Sequence, residues 1–182
     1  LGRGLEPDSL DFLSAFMDAE RQGALGLTPE TMITLFIPDT YEFWWTTTPD
    51  QFIRRMQREH EVFWNAQRRK KAGELGLTTE EASTLASIVQ AETVRMSDAP
   101  RIAGVYLNRL RIGMPLQADP TLKFALGLDS VRRVLHTDKL VDSPYNTYVH
   151  TGLPPGPICS PGLHSLKAAL RPADDDFLYF VS

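Results

Sequence analysis

The tightest constraint on this chain lies between residues 144 and 162. Five prolines (Pro144, Pro154, Pro155, Pro157, Pro161) and three glycines (Gly152, Gly156, Gly162) fall there. Proline fixes φ and removes a backbone donor, so this stretch can neither continue a helix nor sit inside a sheet. A rigid loop with few conformations to lose is expected, and long ordered loops on compact domains often carry function. Regular structure must lie on either side of it.

Helical signals dominate the preceding part. Residues 8–22 suit a first helix, with Asp8 or Ser9 as N-cap and Leu10, Leu13, Phe16 and Met17 on one side. Thr28-Pro29-Glu30 opens a short turn, and Ile33, Leu35, Phe36 and Ile37 read as a strand over 33–37. Thr48-Pro49-Asp50-Gln51 starts a helix running to about residue 72, anchored by Phe52, Met56, Phe63 and Trp64 and broken by Gly73 and Gly76. Thr78-Thr79-Glu80-Glu81 is a second capping box. A third long helix follows Ser97-Asp98, buries Ile102, Val105, Tyr106 and Leu110, and ends at Gly113. Asp119-Pro120-Thr121 opens a short helix stopping at Gly127, and a helix near 163–170 and a strand over 177–181 follow the loop. The fold class expected is α+β, mainly helical, with short strands.

Composition excludes several functions. Net charge is −4, which leaves no electrostatic footprint for nucleic acid. The run Arg68-Arg69-Lys70-Lys71 reads as the solvated C-terminal end of a helix. One cysteine, Cys159, excludes an internal disulfide framework, and His60, His136, His150 and His164 lack ligand spacing, so no metal is expected. A lyase using pyridoxal phosphate would need a Schiff-base lysine and a phosphate cup. Lys70, Lys71, Lys123, Lys139 and Lys167 sit in surface-like contexts without a Gly-rich cradle, so no cofactor is expected. No apolar run approaches the ~20 residues of a membrane span.

One carboxylate stands in apolar company. Glu92 lies seven residues after Leu85, with Ile88 and Val89 on the same helical face. A carboxyl carried into a buried face stays protonated or finds a partner, and a protonated Glu is what a general acid must be. Alternatively it ends the helix facing water, or pairs with Arg95 or Arg101. A second cluster is polar and aromatic: Gln117, Asp119 and Thr121, then Tyr145, Asn146, Thr147 and Tyr148 at the start of the Pro/Gly-rich loop. Amides, carboxylates and aromatic faces are the groups that bind sugars. Equally, Asn146 and Thr147 can cap turns, the tyrosines can fill core, and Asp119 can cap the helix before Pro120. Phe43-Trp44-Trp45 reads as core or domain contact.

Five motifs in order carry a resemblance: Phe36-Ile37-Pro38-Asp39-Thr40-Tyr41, Leu85 through Thr93, Ala103-Gly104-Val105-Tyr106-Leu107-Asn108-Arg109-Leu110, Leu116-Gln117-Ala118-Asp119-Pro120-Thr121, and Tyr145-Asn146-Thr147-Tyr148 through Ile158. Together they resemble the YceG-like family of endolytic murein transglycosylases. The resemblance implies a lysozyme-related catalytic core over 33–182 with the Pro/Gly-rich loop in its groove. Residues 1–32 would be a remnant of a LysM-like subdomain or a connecting helix. It also implies a longer bacterial protein anchored in the inner membrane, its catalytic domain on the periplasmic or outer side. A further C-terminal segment would complete the groove. The substrate implied is peptidoglycan glycan strands, with cell-wall synthases as candidate partners. Glu92 falls on the family's catalytic Glu and would cleave the MurNAc–GlcNAc β-1,4 bond to leave 1,6-anhydroMurNAc ends. Gln117, Asp119, Thr121, Tyr145, Asn146, Thr147 and Tyr148 would bind the sugar. Two rival readings are a hydrolase in which Asp119 holds a water, and a non-catalytic glycan-binding module.

Overall fold

The computed structural model describes residues 7–128 and 134–180, and among them it is helical, with no β-strand. The helices are α1 (Ser9–Met17), α2 (Ala19–Ala24), α3 (Pro49–Phe63), α4 (Ala66–Glu74), α5 (Thr79–Glu92), α6 (Ala99–Arg111), α7 (Asp119–Ala125) and α8 (Leu163–Leu170).

Capping residues set most helix starts. Asp8 caps α1, Thr48 caps α3 and Thr78 caps α5, each in a reciprocal capping box. Two further caps split helices expected to be continuous. Asp18 accepts from the Arg21 amide at 2.7 Å and separates α1 from α2. Asn65 accepts from the Arg68 amide at 3.0 Å and separates α3 from α4. The side of α1 that faces inward also differs from expectation. Phe12 is buried, whereas Leu10, Leu13 and Met17 are exposed. Gly73 lies inside α4, and the chain turns at Gly76, whose φ of +77° suits glycine.

Neither expected strand forms. Residues Met32–Leu35 make a 3-10 turn instead, with Met32, Thr34 and Leu35 buried beneath it. Residues 177–180 find no neighbouring strand, and Val181 lies outside the described residues. The carbonyls of Phe177 and Leu178, together with that of Asp175, are met by side chains of α6. Asn108 Nδ2 donates to Asp175 O at 2.7 Å and Phe177 O at 3.0 Å, and Arg109 Nε donates to Leu178 O at 2.8 Å. Satisfied in this way, the backbone needs no sheet.

Two apolar clusters build the interior. Phe12, Leu27, Met32, Leu35, Phe52, Ile53 and Met56 form the smaller. The larger surrounds α5, which packs against α4, α6, α7 and α8. Every residue of α5 from Ala82 to Val89 is buried. The apolar stripe expected on one face is therefore a helix enclosed on all sides. Small residues at Ala82, Ser83, Ala86 and Ser87 allow that enclosure, and Ser87 Oγ satisfies itself on Thr84 O at 2.7 Å.

The Pro/Gly-rich stretch forms no regular structure and is fastened at several points. Ile158 N donates to Ser87 Oγ at 3.0 Å, and Gly162 N donates to Gln90 Oε1 at 2.6 Å, both on α5. Ser160 Oγ donates to Phe36 O at 3.3 Å. Gly156 lies so close to Glu30 that a Cβ there would sit 2.4 Å from its carbonyl oxygen. The loop thus ties α5 to the segment carrying the smaller cluster. No helix among the described residues is long and apolar enough to cross a membrane.

Candidate active site

Glu92 is the last residue of α5, where the helix emerges from the core. Its side chain is part-buried, and no ion pair or hydrogen bond among the described residues engages its carboxyl. Arg95 and Arg101 therefore do not neutralise it by contact. Burial lifts its pKa above the ordinary value, the charge of Asp119 adds to the rise, and Lys123 opposes it. An unpaired, desolvated carboxyl at a helix end is a group held ready to carry a proton.

Glu92 opens into a cavity of about 590 Å3 lined by Val94, Arg95, Asp98, Arg101, Ile102, Phe177, Tyr179 and Phe180. This is within the usual size range of ligand sites. Phe177, Tyr179 and Phe180 give it an aromatic wall that the sequence reading assigned to a strand. Phe180 packs edge-on against Tyr106 at 5.7 Å, and Arg109 lies 5.1 Å from the Tyr179 ring centre. Arg109 is buried. Its guanidinium also donates to Leu116 O at 2.6 Å, so it joins α6, the 116–118 turn and the aromatic wall. Alternating aromatics near the C-terminus were visible in the sequence. Their neighbour α6 was not.

The second cluster divides in two. Asp119 is exposed and accepts a hydrogen bond from the Tyr148 hydroxyl. It does not cap α7. Ala118 is the N-cap, and Asp119 is the first helical residue. The Tyr148 phenol is pushed well above its ordinary pKa by burial and by Asp119, so it stays a donor. Tyr106 is likewise pushed up, by burial and then by the charge of Glu92. Glu92, Asp119, Tyr106 and Tyr148 therefore share one electrostatic neighbourhood.

The other members hold the loop. Asn146 is fully buried, its amide donates to Lys139 O at 3.1 Å and Val141 O at 2.8 Å, and its oxygen accepts from Tyr148 N at 3.1 Å. Thr147 Oγ1 accepts from Ala118 N at 3.0 Å and meets Thr121 Oγ1 at 2.8 Å, both hydroxyls buried. These three side chains have no face left for a sugar. Gln117 is exposed and held at φ +50°, with its backbone N–H donating to Thr147 O at 2.9 Å. Tyr145 is part-buried and packs on Phe124 at 4.7 Å. No group of residues among those described has the make-up of a metal site.

The comparisons with known proteins agree with one another. The YceG-like family model matches residues 8–182. An endolytic murein transglycosylase of Bacillus subtilis is 48% identical over 99 residues, which is 54% of this chain and 27% of that protein. One from Streptococcus pneumoniae is 33% identical over 153 residues, 80% of this chain and 27% of that protein. This chain thus spans about a quarter of the curated relatives' length. A crystal structure of a YceG-like protein from Listeria monocytogenes superposes with a TM-score of 0.80 at 33% identity, covering 97% of this chain and 62% of that one. A family match over nearly the whole length, supported by sequence and by fold, allows one conclusion: this chain belongs to the YceG-like family.

Proposed function

We propose that this chain is the catalytic region of an endolytic murein lytic transglycosylase, with Glu92 as its general acid and base. The observation that carries the proposal is the Glu92 carboxyl, unpaired among the described residues, raised in pKa by burial, and opening on a cavity with an aromatic wall. The substrate is the peptidoglycan glycan strand, and the bond broken is the β-1,4 link from MurNAc to GlcNAc. On this reading the helices packed around α5 are a lysozyme-related core over 33–182. Residues 1–32 are a connecting segment or LysM-like remnant. The whole protein works at the outer face of the bacterial inner membrane, anchored there by a segment elsewhere in its chain.

One carboxyl suffices for this chemistry. Protonated Glu92 gives its proton to the glycosidic oxygen as the C1–O bond breaks. The resulting carboxylate takes the proton from the muramic acid's own C6 hydroxyl as O6 attacks C1. The attack is intramolecular, so it gains from proximity once the sugar is held with O6 over C1. No water is consumed, and the product carries a 1,6-anhydro ring. The aromatic wall at Phe177 and Tyr179 suits a sugar face, and the Tyr148–Asp119 pair acts from outside the described cavity lining, through its electrostatic reach to Glu92.

Hydrolysis is the second reading, favoured by the nearby charge of Asp119. Inverting glycosidases place two carboxyls about 6.5–9.5 Å apart with a water between them. Against it, the Asp119 carboxylate already accepts the Tyr148 hydroxyl. Mass analysis of peptidoglycan digested by the protein carrying this region decides the matter. Anhydro ends are expected, reducing ends would make it a hydrolase, and undigested but bound strands would make it a binding module.

A further inference from the structure

At the far end of α5 from Glu92, a cavity of about 470 Å3 lies between α4 and α8. Gly162 bonds to Gln90, so α8 begins beside the end of α5 and finishes toward its start. None of the residues lining this cavity lines the one beside Glu92. The second cavity is lined by Arg68, Lys70 and Lys71 from α4, and by Lys167 and Arg171 from the end of α8. Asn65 and Gln67 add polar groups, and Glu74 is the one acid among the described lining residues. This concentration of cations occurs in a chain whose net charge is −4.

Two features go beyond a solvated helix end, which is how Arg68-Arg69-Lys70-Lys71 reads in the sequence. First, the run lies within the nine-residue α4, and Arg68, Lys70 and Lys71 share a cavity with cations almost a hundred residues away in sequence. Second, the charges are not used up internally. Glu74 is shared by Lys70 at 3.9 Å and Lys71 at 3.4 Å, while Lys167 and Arg171 make no side-chain ion pair among the described residues. Arg68 is already oriented. It donates to Phe63 O at 2.6 Å and its guanidinium lies 4.5 Å from the Phe63 ring centre.

We propose that the cavity between α4 and α8 is a second ligand site that takes a phosphate-bearing group, separate from the Glu92 cavity. Arg68 supplies a preset planar donor, and Lys70, Lys71, Lys167 and Arg171 supply the charge that balances a dianion or diphosphate. The group arrives either as a soluble phosphate compound or as a phospholipid headgroup. The site makes no demand on Glu92 and does not rest on the transglycosylase reading.

The test titrates the folded protein with inorganic pyrophosphate at constant ionic strength, following backbone amide shifts. Co-sedimentation with phosphatidylglycerol and with phosphatidylcholine vesicles is run alongside. Both measurements are repeated on Lys167→Glu/Arg171→Glu and on the milder Lys167→Gln/Arg171→Gln, each checked for a native circular dichroism spectrum. Saturable pyrophosphate shifts centred on 65–71 and 167–171, weakened at least tenfold by charge reversal, support the site and a soluble ligand. Binding to phosphatidylglycerol vesicles alone, lost on charge reversal, supports the site and a headgroup. No binding in either arm overturns the proposal. So does binding that both variants retain, or shifts that sodium chloride of equal ionic strength reproduces.

Discussion

The Tyr148 hydroxyl donates to the carboxylate of Asp119, 29 residues earlier in sequence, and so pins the start of the Pro/Gly-rich loop to the first turn of α7. The pair stands in the electrostatic field of Glu92, whose pKa Asp119 helps to raise. One hydrogen bond therefore connects loop position to the proton affinity of the proposed catalytic group.

Asp119→Asn tests that connection. An amide still accepts from Tyr148 but carries no charge, so ionisation of Glu92 becomes easier. The limb of the pH–rate profile that reports loss of the acid should move to lower pH, yet not back to the ordinary glutamate value, because burial is the larger cause. A limb that stays in place would remove Asp119 from the electrostatics of the site.

Glu92→Gln should lower turnover by roughly 10²–10⁴-fold with the fold retained, the usual worth of a general acid and base. Its stability should also depend less on pH. With a folded pKa above the unfolded one, the native state holds the extra proton between the two values. Wild-type stability from this group is complete below the unfolded value and is lost as pH rises through the folded one. Chemical denaturation at pH 4 and at pH 7 should therefore show the variant losing less across that window. Equal pH dependence in both proteins would contradict the burial of Glu92.

Asn146→Ala should act through stability and loop order. Both amide hydrogens and the oxygen are engaged in a site with no solvent access, and removing them leaves the carbonyls of Lys139 and Val141 without this donor. A loss of about 2–3 kcal/mol is expected in a denaturant midpoint experiment. Turnover should fall as Tyr148 loses its backbone restraint. An unchanged midpoint together with a large loss of substrate affinity would instead make Asn146 a direct sugar contact.

Gly104→Ala should loosen the aromatic wall. An added Cβ would lie 2.9 Å from the carbonyl oxygen of Ala173, which is backbone and cannot swing away. The cost expected is about 1–3 kcal/mol, and the segment carrying Phe177 and Tyr179 should lift from α6. Chymotrypsin should then cut at those residues faster than in the wild type. An unchanged cutting rate would show that α6 and the C-terminal segment have room to adjust.

Local chemistry in the sequence determined much of the helical frame. Thr48 and Thr78 begin helices because their hydroxyls and the residues three positions on exchange hydrogen bonds with neighbouring amides, whatever surrounds them. The Pro/Gly density at 144–162 likewise excluded regular structure by backbone restriction alone. Glu92 was legible as an acid placed at the end of an apolar helix. Its freedom from Arg95 and Arg101 was not.

What tertiary structure decided was pairing over distance. The runs at 33–37 and 177–181 have strand-like composition, but a strand exists only with a partner. Here the first coils over the smaller cluster, and the described part of the second is held by Asn108 and Arg109. Asp119 looked like a helix cap by position, yet Tyr148 lies close enough to claim its carboxylate. Thr121, Asn146 and Thr147 looked like sugar ligands by type, yet packing turned them inward. The aromatic wall beside Glu92 and the cations gathered between α4 and α8 are both products of chain reversal. Contacts of that kind depend on how the whole chain packs, and no local pattern specifies them.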